Sequence, residues 1–185
     1  VVHRLDRDTS GVLVVARTED ALKSLQAAFR DRVVKKVYEG LVKGAPRFDS
    51  DWVDAPLGRS QRHPDRQSVL SAEEGREALT YWEVMERFDG YAHLRLEPKT
   101  GRTHQLRVHL ASIDLAIVSD PLYRSKGGRP AHLPPSAPAM ERHALHAASL
   151  SFPHPRSGAE VSFSAPLPGD MQAALTWLRA ERGRS

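Results

Sequence analysis

VVHRLDRDTSGVLVVA, residues 1–16, sets charge against hydrophobicity in a way that ordinary folding does not require. Residues 12–16 are an unbroken apolar run that reads as a strand buried on both faces, and Gly11 just before it permits a tight backbone approach. His3, Arg4, Asp6, Arg7 and Asp8 crowd the turn at the mouth of that strand. At least one carboxylate there must lie beside a guanidinium at the edge of a core, partly desolvated and held ionised by its partner. A nucleophilic carboxylate is built in this way. The plainer reading is a surface turn, since Asp8, Thr9, Ser10 and Gly11 are good turn formers and Asp6 can pair with Arg7 in solvent.

Outward from that stretch, 185 residues with 40% hydrophobic composition suffice for one domain, 1–185, with a sizeable core. No apolar run is long enough to span a membrane, so a soluble protein with no membrane partner is expected, cytoplasmic and monomeric. The absence of cysteine rules out a disulfide framework and a thiolate metal site, and it fits a reducing compartment. Lys and Arg number 27 against 23 Asp and Glu, a net charge of +4, and the surplus of arginine favours a polyanionic partner such as nucleic acid. The first residue is Val, and no signal-peptide pattern precedes the motif, so the segment is expected to begin inside something longer.

Thr18 suits the N-cap of a helix over 19–30, where Ala21, Leu22, Leu25, Ala28 and Phe29 recur at helical spacing and acidic residues fill the first turn. Residues 33–42, with the aromatic Tyr38, read as a strand that ends at Gly44 and Pro46. Residues 45–76 read as a long polar loop. Arg59, Arg62, His63 and Arg66 within it supply phosphate-directed charge, which favours RNA contact over a merely solvated loop. Residues 77–86 and 91–97 form a hairpin turned at Asp89-Gly90, because Ala92, Leu94 and Leu96 alternate with polar residues.

Thr103 then suits the cap of a helix whose Leu106, Leu110 and Ile113 face the core, with His104 and Arg107 sharing another face. A metal site is not expected: His104 and His109 do not share a helical face, and no acidic residue completes a set. Two readings of the helix remain, a basic N-terminus after Gly101 that touches phosphate, and an Arg107 that pairs with Asp6. Residues 117–142 are loop-like, with Arg124, Lys126, Arg129 and His132 among glycines and prolines. A strand over 160–164 and a helix opened by Pro168 close the chain. In that helix Met171, Ala174, Leu175 and Leu178 face inward, Arg179 and Arg182 suit the last turn, and residues 183–185 fray. Strands outnumber helices and hairpins join several of them, which predicts an α+β fold with a mixed, mainly antiparallel sheet and packed helices.

The string HRLDRDTSG at 3–11 closely resembles the signature of the RluA-type RNA pseudouridine synthases, and GRTHQLRVH at 101–109 resembles the second mark of that family. DAPLGR at 54–59 and RHALHAASLSFPHP at 142–155 are similar to further family segments in the same order, whereas SDPLYR at 119–124 keeps Asp120 and Tyr123 but not the flanking glycines of the family's G-D-x-x-Y-G. The resemblance covers nearly the whole chain. It implies the pseudouridine synthase catalytic fold, with Asp6 as the catalytic carboxylate, Arg107 paired to it, and Tyr38 of the K-x-Y segment against the target base. It further implies that Arg4 enters the space vacated by a flipped base. Together with Arg4, the residues Arg59, Arg62, Arg66, Arg102 and His104 are expected on the RNA. No cofactor and no metal are implied. Ribosomal RNA is the first expected partner and transfer RNA the second, with selectivity in the loops at 59–76 and 124–142. In the family, strands precede HRLD, whereas this sequence starts at the motif; if those strands are absent, an exposed strand edge beside Asp6 is expected. The competing expectation is a catalytically inactive RNA-binding module of the same fold, which would predict loss of Asp6, Tyr38 or Arg107. A metal-dependent RNA hydrolase would need a carboxylate and histidine cluster that the sequence does not offer.

Overall fold

The computed structural model describes residues 1–128 and 130–182. Arg129 of the 117–142 loop, the tail 183–185 and the side chain of Arg182, each read above from the sequence, lie outside the described residues. In chain order the elements are β1 (Ser10–Gly11), α1 (Glu19–Arg30), β2 (Lys35–Lys43), β3 (Ser50–Asp54), β4 (Leu57–Arg59), β5 (Gln67–Val69), β6 (Leu79–Phe88), β7 (Tyr91–Pro98), α2 (Gln105–Ser112), β8 (Ala116–Ile117), β9 (Leu145–Pro153), β10 (Glu160–Ser164) and α3 (Gly169–Arg182). The main sheet runs β1-β9-β2-β7-β6-β3, with β10 added to β9 and β8 to β2, while β4 and β5 form a separate ribbon. Among the described residues the pair β1 and β9 is parallel and every other pair is antiparallel, which makes an α+β fold with a mixed, mainly antiparallel sheet. No helix of the described residues is long and apolar enough to cross a membrane.

The β6–β7 hairpin is the centre of the sheet: the two-residue turn at Asp89-Gly90, where Gly90 takes φ 69°, sets its register from Phe88↔Tyr91 to Glu86↔His93, and a bulge between Glu86 and Val84 shifts it beyond. Its Ala92, Leu94 and Leu96 are fully buried and meet Leu106 and Leu110 of α2 and Met171, Ala174, Leu175 and Leu178 of α3 in one core. α1 is capped as its sequence predicts, with Thr18 Oγ1 accepting from the Ala21 amide at 3.2 Å, and it lays Leu25 against Leu150 and Phe152 of β9.

The structure corrects four sequence readings. Residues 12–16 are not a strand buried on both faces: ladder pairing stops at Gly11. Thereafter Val12, Val14 and Ala16 pack on the α1 cluster while Leu13 and Val15 are exposed. An apolar run does not reveal that one of its two faces has no cover. The polar stretch 45–76 holds three short strands, because β3 pairs with β6 and the β4–β5 ribbon closes on itself, and backbone pairing is indifferent to polar side chains. Thr103 does not cap α2. His104 holds the cap position at φ 55° without a side-chain cap bond, and the Gln105 side chain folds back to accept from the Arg102 amide at 3.0 Å. Ile113, expected in the core, sits at the exposed C-cap.

Candidate active site

Asp6 sits on the turn before β1, with its carbonyl accepting from the Thr9 amide at 3.0 Å and Asp8 at φ 69°. Little ladder holds this segment, so side chains from distant sequence tether it. His143 bonds Thr9 Oγ1 at 2.7 Å, His146 Nδ1 accepts from Ser10 Oγ at 2.9 Å, and Arg142 donates Nη1 to the Asp8 carbonyl at 3.1 Å while gripping Asp170 of α3 through Nε and Nη2. At the strand itself Gly11 allows the contact that its sequence position suggests: a Cβ there would lie 2.1 Å from the Ala147 carbonyl oxygen, and φ is 115°. On the other side His3 stacks on Phe29 at 4.6 Å, and its Nε2 accepts from the Val14 amide at 3.0 Å. Burial, and then the charge of Lys36, lower the His3 pKa and favour the neutral ring this bond needs.

The facing wall comes from α2, a helix buried almost all round, whose alternate polar residues are each satisfied inside. Gln105 donates to the Leu79 carbonyl and to Thr80, and His109 reaches Thr80 and the Ala55 carbonyl. Arg107 is clamped by Asp120, with Nε to Oδ2 at 2.7 Å and Nη2 to Oδ1 at 2.9 Å, and its remaining arm Nη1 reaches Asp6 Oδ2 at 3.4 Å. Asp120 Oδ1 also accepts the amides of Leu122 and Tyr123. Burial opposes the charge on both partners, but each charge and its hydrogen bonds outweigh burial: the Arg107 pKa stays above its ordinary value and that of Asp120 below. The Arg107 guanidinium lies 5.1 Å from the centre of the Tyr123 ring. The Tyr123 hydroxyl accepts from the Gln67 amide at 3.0 Å, which leaves its proton for His104 Nδ1 at 2.7 Å. Burial lowers the His104 pKa and so favours this neutral, accepting imidazole.

Between the walls opens a cleft of about 570 Å³, floored by Tyr38 of β2 and edged by Arg4, Asp6, Arg102 and His104. Burial first, and the Asp6 charge second, push the Tyr38 phenol up to about 12, so it stays protonated at neutral pH beside the carboxylate. Six basic side chains line this cleft, Arg4, Arg30, Arg32, Lys36, Lys99 and Arg102, against one carboxylate, Asp6. Such a lining attracts an anionic ligand and orients it toward a single acid.

Of the residues singled out from the sequence, the structure brings Asp6, Tyr38, Arg107, Arg4, Arg102 and His104 together. It does not bring Arg59, Arg62 or Arg66 to the cleft; they belong to the β4–β5 ribbon and its loop. Arg59 and Arg62 are exposed, but Arg66 donates Nη1 to the Leu122 carbonyl at 3.0 Å, and Arg102 donates Nε to the Glu77 carbonyl at 2.8 Å, so both partly serve the scaffold. The expected Arg107–Asp6 pair is present but secondary, since Asp120 takes the shorter bonds. Sequence reasoning noted Asp120, Tyr123 and His3 without giving them a role in the site, and it missed the Thr9–His143 tie. The available signal was donor arithmetic: a buried guanidinium with five N–H groups needs more acceptors than one carboxylate at a cleft mouth supplies.

The family model described as RNA pseudouridylate synthase matches residues 1–112. A Chloroflexus aurantiacus protein described as an uncharacterized RNA pseudouridine synthase is 44% identical over 179 residues, which cover 97% of this chain and 53% of the relative. The ribosomal large subunit pseudouridine synthase D of Zymomonas mobilis is 42% identical over 179 residues, 96% of this chain and 56% of its own. The chain thus spans about half the length of these curated relatives. Among solved structures, human RNA Pseudouridylate Synthase Domain Containing 1 superposes with a TM-score of 0.75 at 28% identity, over 97% of this chain and 79% of that one. With a family model matching more than half its residues and relatives above 40% identity along nearly all of it, this chain belongs to the RNA pseudouridylate synthase family.

Proposed function

We propose that this chain isomerises uridine in RNA to pseudouridine and that Asp6 is the carboxylate through which the reaction runs. The observation that carries the reading is the placing of one carboxylate, Asp6, in a basic cleft, 3.4 Å from an arginine that Asp120 holds rigid. In the isomerisation the uracil N1–C1′ bond breaks, a C5–C1′ bond forms, and the proton lost from C5 is matched by one gained at N1. Atoms and electrons balance within the nucleotide, so position and charge are what the protein supplies. Asp6 acts on the sugar carbon as nucleophile or on a proton as base, and Arg107, fixed by Asp120, keeps the carboxylate aimed into the cleft. The Tyr38 phenol, protonated and part of the floor, offers a face for the base and a hydroxyl proton. A cleft of about 570 Å³ falls within the range of roughly 300–1,000 Å³ that holds small organic ligands.

A base stacked in a helix cannot reach Asp6, so the uridine is taken out of its stack at a cost of roughly a few kcal/mol. Arg4, exposed at the cleft edge two residues before Asp6, is placed to fill the gap. Large-subunit ribosomal RNA is the substrate class we assign first, because relatives about 40% identical to this chain are ribosomal large subunit pseudouridine synthases. The test is direct: the native chain is incubated with unmodified large-subunit ribosomal RNA transcripts, and the nucleosides are resolved by chromatography. Pseudouridine formation at defined positions is expected. Bound but unconverted RNA would overturn the reading in favour of an inactive binding module.

A further inference from the structure

Lys36 projects from β2 two residues before Tyr38, so the two side chains leave the same face of the strand, about 7 Å apart, and both line the cleft. Its ammonium donates to the Thr100 carbonyl at 3.0 Å, and a Cβ on Gly101 would stand 3.8 Å from Nζ, so the group is tucked under the turn that leads into α2. Among the described residues its ammonium has this one protein acceptor, which leaves two of its three N–H donors for a ligand. The carboxylates bonded to its neighbouring cations are already engaged. Glu77 takes both arms of Arg32 at 3.1 Å, and Glu97 holds Lys99 at 2.6 Å and also bonds Arg95. Burial, followed by the charges of Arg32 and Lys99, brings the Lys36 pKa down to about 8, and Arg102 on the same wall is also lowered, by burial and then by Arg76 and Arg32. Lys36 is thus repelled by Arg32 and Lys99, and Arg102 by Arg32, at one corner of the cleft. A neutral acceptor such as a uracil carbonyl would satisfy a donor without relieving that repulsion. An anion does both.

Resting on the reading above, we propose that Lys36, backed by Arg32, Lys99 and Arg102, is the socket for a backbone phosphate of the RNA, adjoining the nucleotide whose uracil lies against Tyr38. The socket fixes the sugar-phosphate register in the cleft, so that the C1′ carbon, rather than a neighbouring atom, comes opposite Asp6. Sequence selection has no part in it, because a phosphate is the same at every nucleotide.

The test is equilibrium binding of a uridine-containing RNA oligonucleotide between about 50 and 200 mM salt, with the slope of log affinity against log salt compared among variants. Lys36→Met should flatten the slope by about 0.7–0.9, the value of one phosphate contact, and Lys36→Arg should retain the native slope. Lys36→Gln, which keeps a donor for the Thr100 carbonyl, should flatten it equally, and it keeps the test open should the Met variant misfold. An unchanged slope in the Met and Gln variants, or an equal fall in the Arg variant, overturns the proposal. Binding needs no turnover, so failure here is separate from failure of the isomerase reading, which pseudouridine formation by the native chain decides.

Discussion

The two walls of the cleft are made in opposite ways. The α2 wall is buried, and its Arg107, Gln105 and His109 are each bonded inside the protein over short distances. The Asp6 wall has two residues of strand ladder and is otherwise an extended segment tied down by His143, His146 and Arg142, more than 130 residues away in sequence. The rigid wall carries the group that need only stay in place, the guanidinium. The tethered wall carries the carboxylate and the exposed Arg4, which under the proposed function meet a substrate arriving from solvent. Rigidity is thus supplied by burial on one side and by a few long-range hydrogen bonds on the other, and the second can be loosened one bond at a time.

The contrast can be broken most forcefully from the rigid side. Asp120→Ala strands the Arg107 guanidinium in the core, and a loss of about 3–5 kcal/mol is expected in urea unfolding. A loss below about 1 kcal/mol would mean that the clamp is not what fixes Arg107. On the tethered side, His143 is kept neutral, its pKa brought to about 4 by burial first and by the Arg107 charge second. The unfolded chain binds that proton near 6.5 and the folded chain resists it until about 4. Stability therefore falls as pH drops through that window, by about 3 kcal/mol in all, and is fully present above it. Unfolding free energies at pH 7 and pH 4.5, compared between the native chain and His143→Gln, isolate this group: the pH dependence should shrink in the variant.

Gly11→Ala forces a Cβ to within 2.1 Å of the Ala147 carbonyl at a φ of 115°, so a destabilisation of about 2 kcal/mol is expected, with activity reduced because β1 moves away from β9. Thr9→Ala removes one tie, and about 1 kcal/mol should be lost. Because that tie holds the Asp6 turn, kcat should fall more than the melting temperature does. Equal effects on both would make it an ordinary stabilising bond.

Elements with a local physical cause were legible in the sequence. Thr18 and the 3.6-residue spacing mark α1, Asp89-Gly90 with period-2 alternation marks the central hairpin, and Gly11 marks the close approach to β9. What failed depended on partners distant in sequence. Whether residues 12–16 are covered on two faces is decided by what lies beyond them, and the strand at Ser50–Asp54 exists because β6 offers it an edge. The site divides in the same way. Asp6, Tyr38 and Arg107 stand in motifs that can be read directly, whereas Asp120, 13 residues beyond Arg107, becomes visible as its partner only when the loop after β8 folds back. The cap of α2 was misplaced because His104 takes the cap position at φ 55° with no side-chain cap bond, while the Gln105 side chain holds the turn before the helix through the Arg102 amide.

The central claim is that the Asp6 carboxylate carries the chemistry while Arg107 and Asp120 hold it in place. It is tested most directly by tritium release from RNA labelled at uracil C5, comparing the native chain with Asp6→Asn after both are shown to melt alike and to bind the RNA alike. Release by the native chain and a fall of more than about 10³-fold in the variant is the predicted result. Release at comparable rates from both would contradict it.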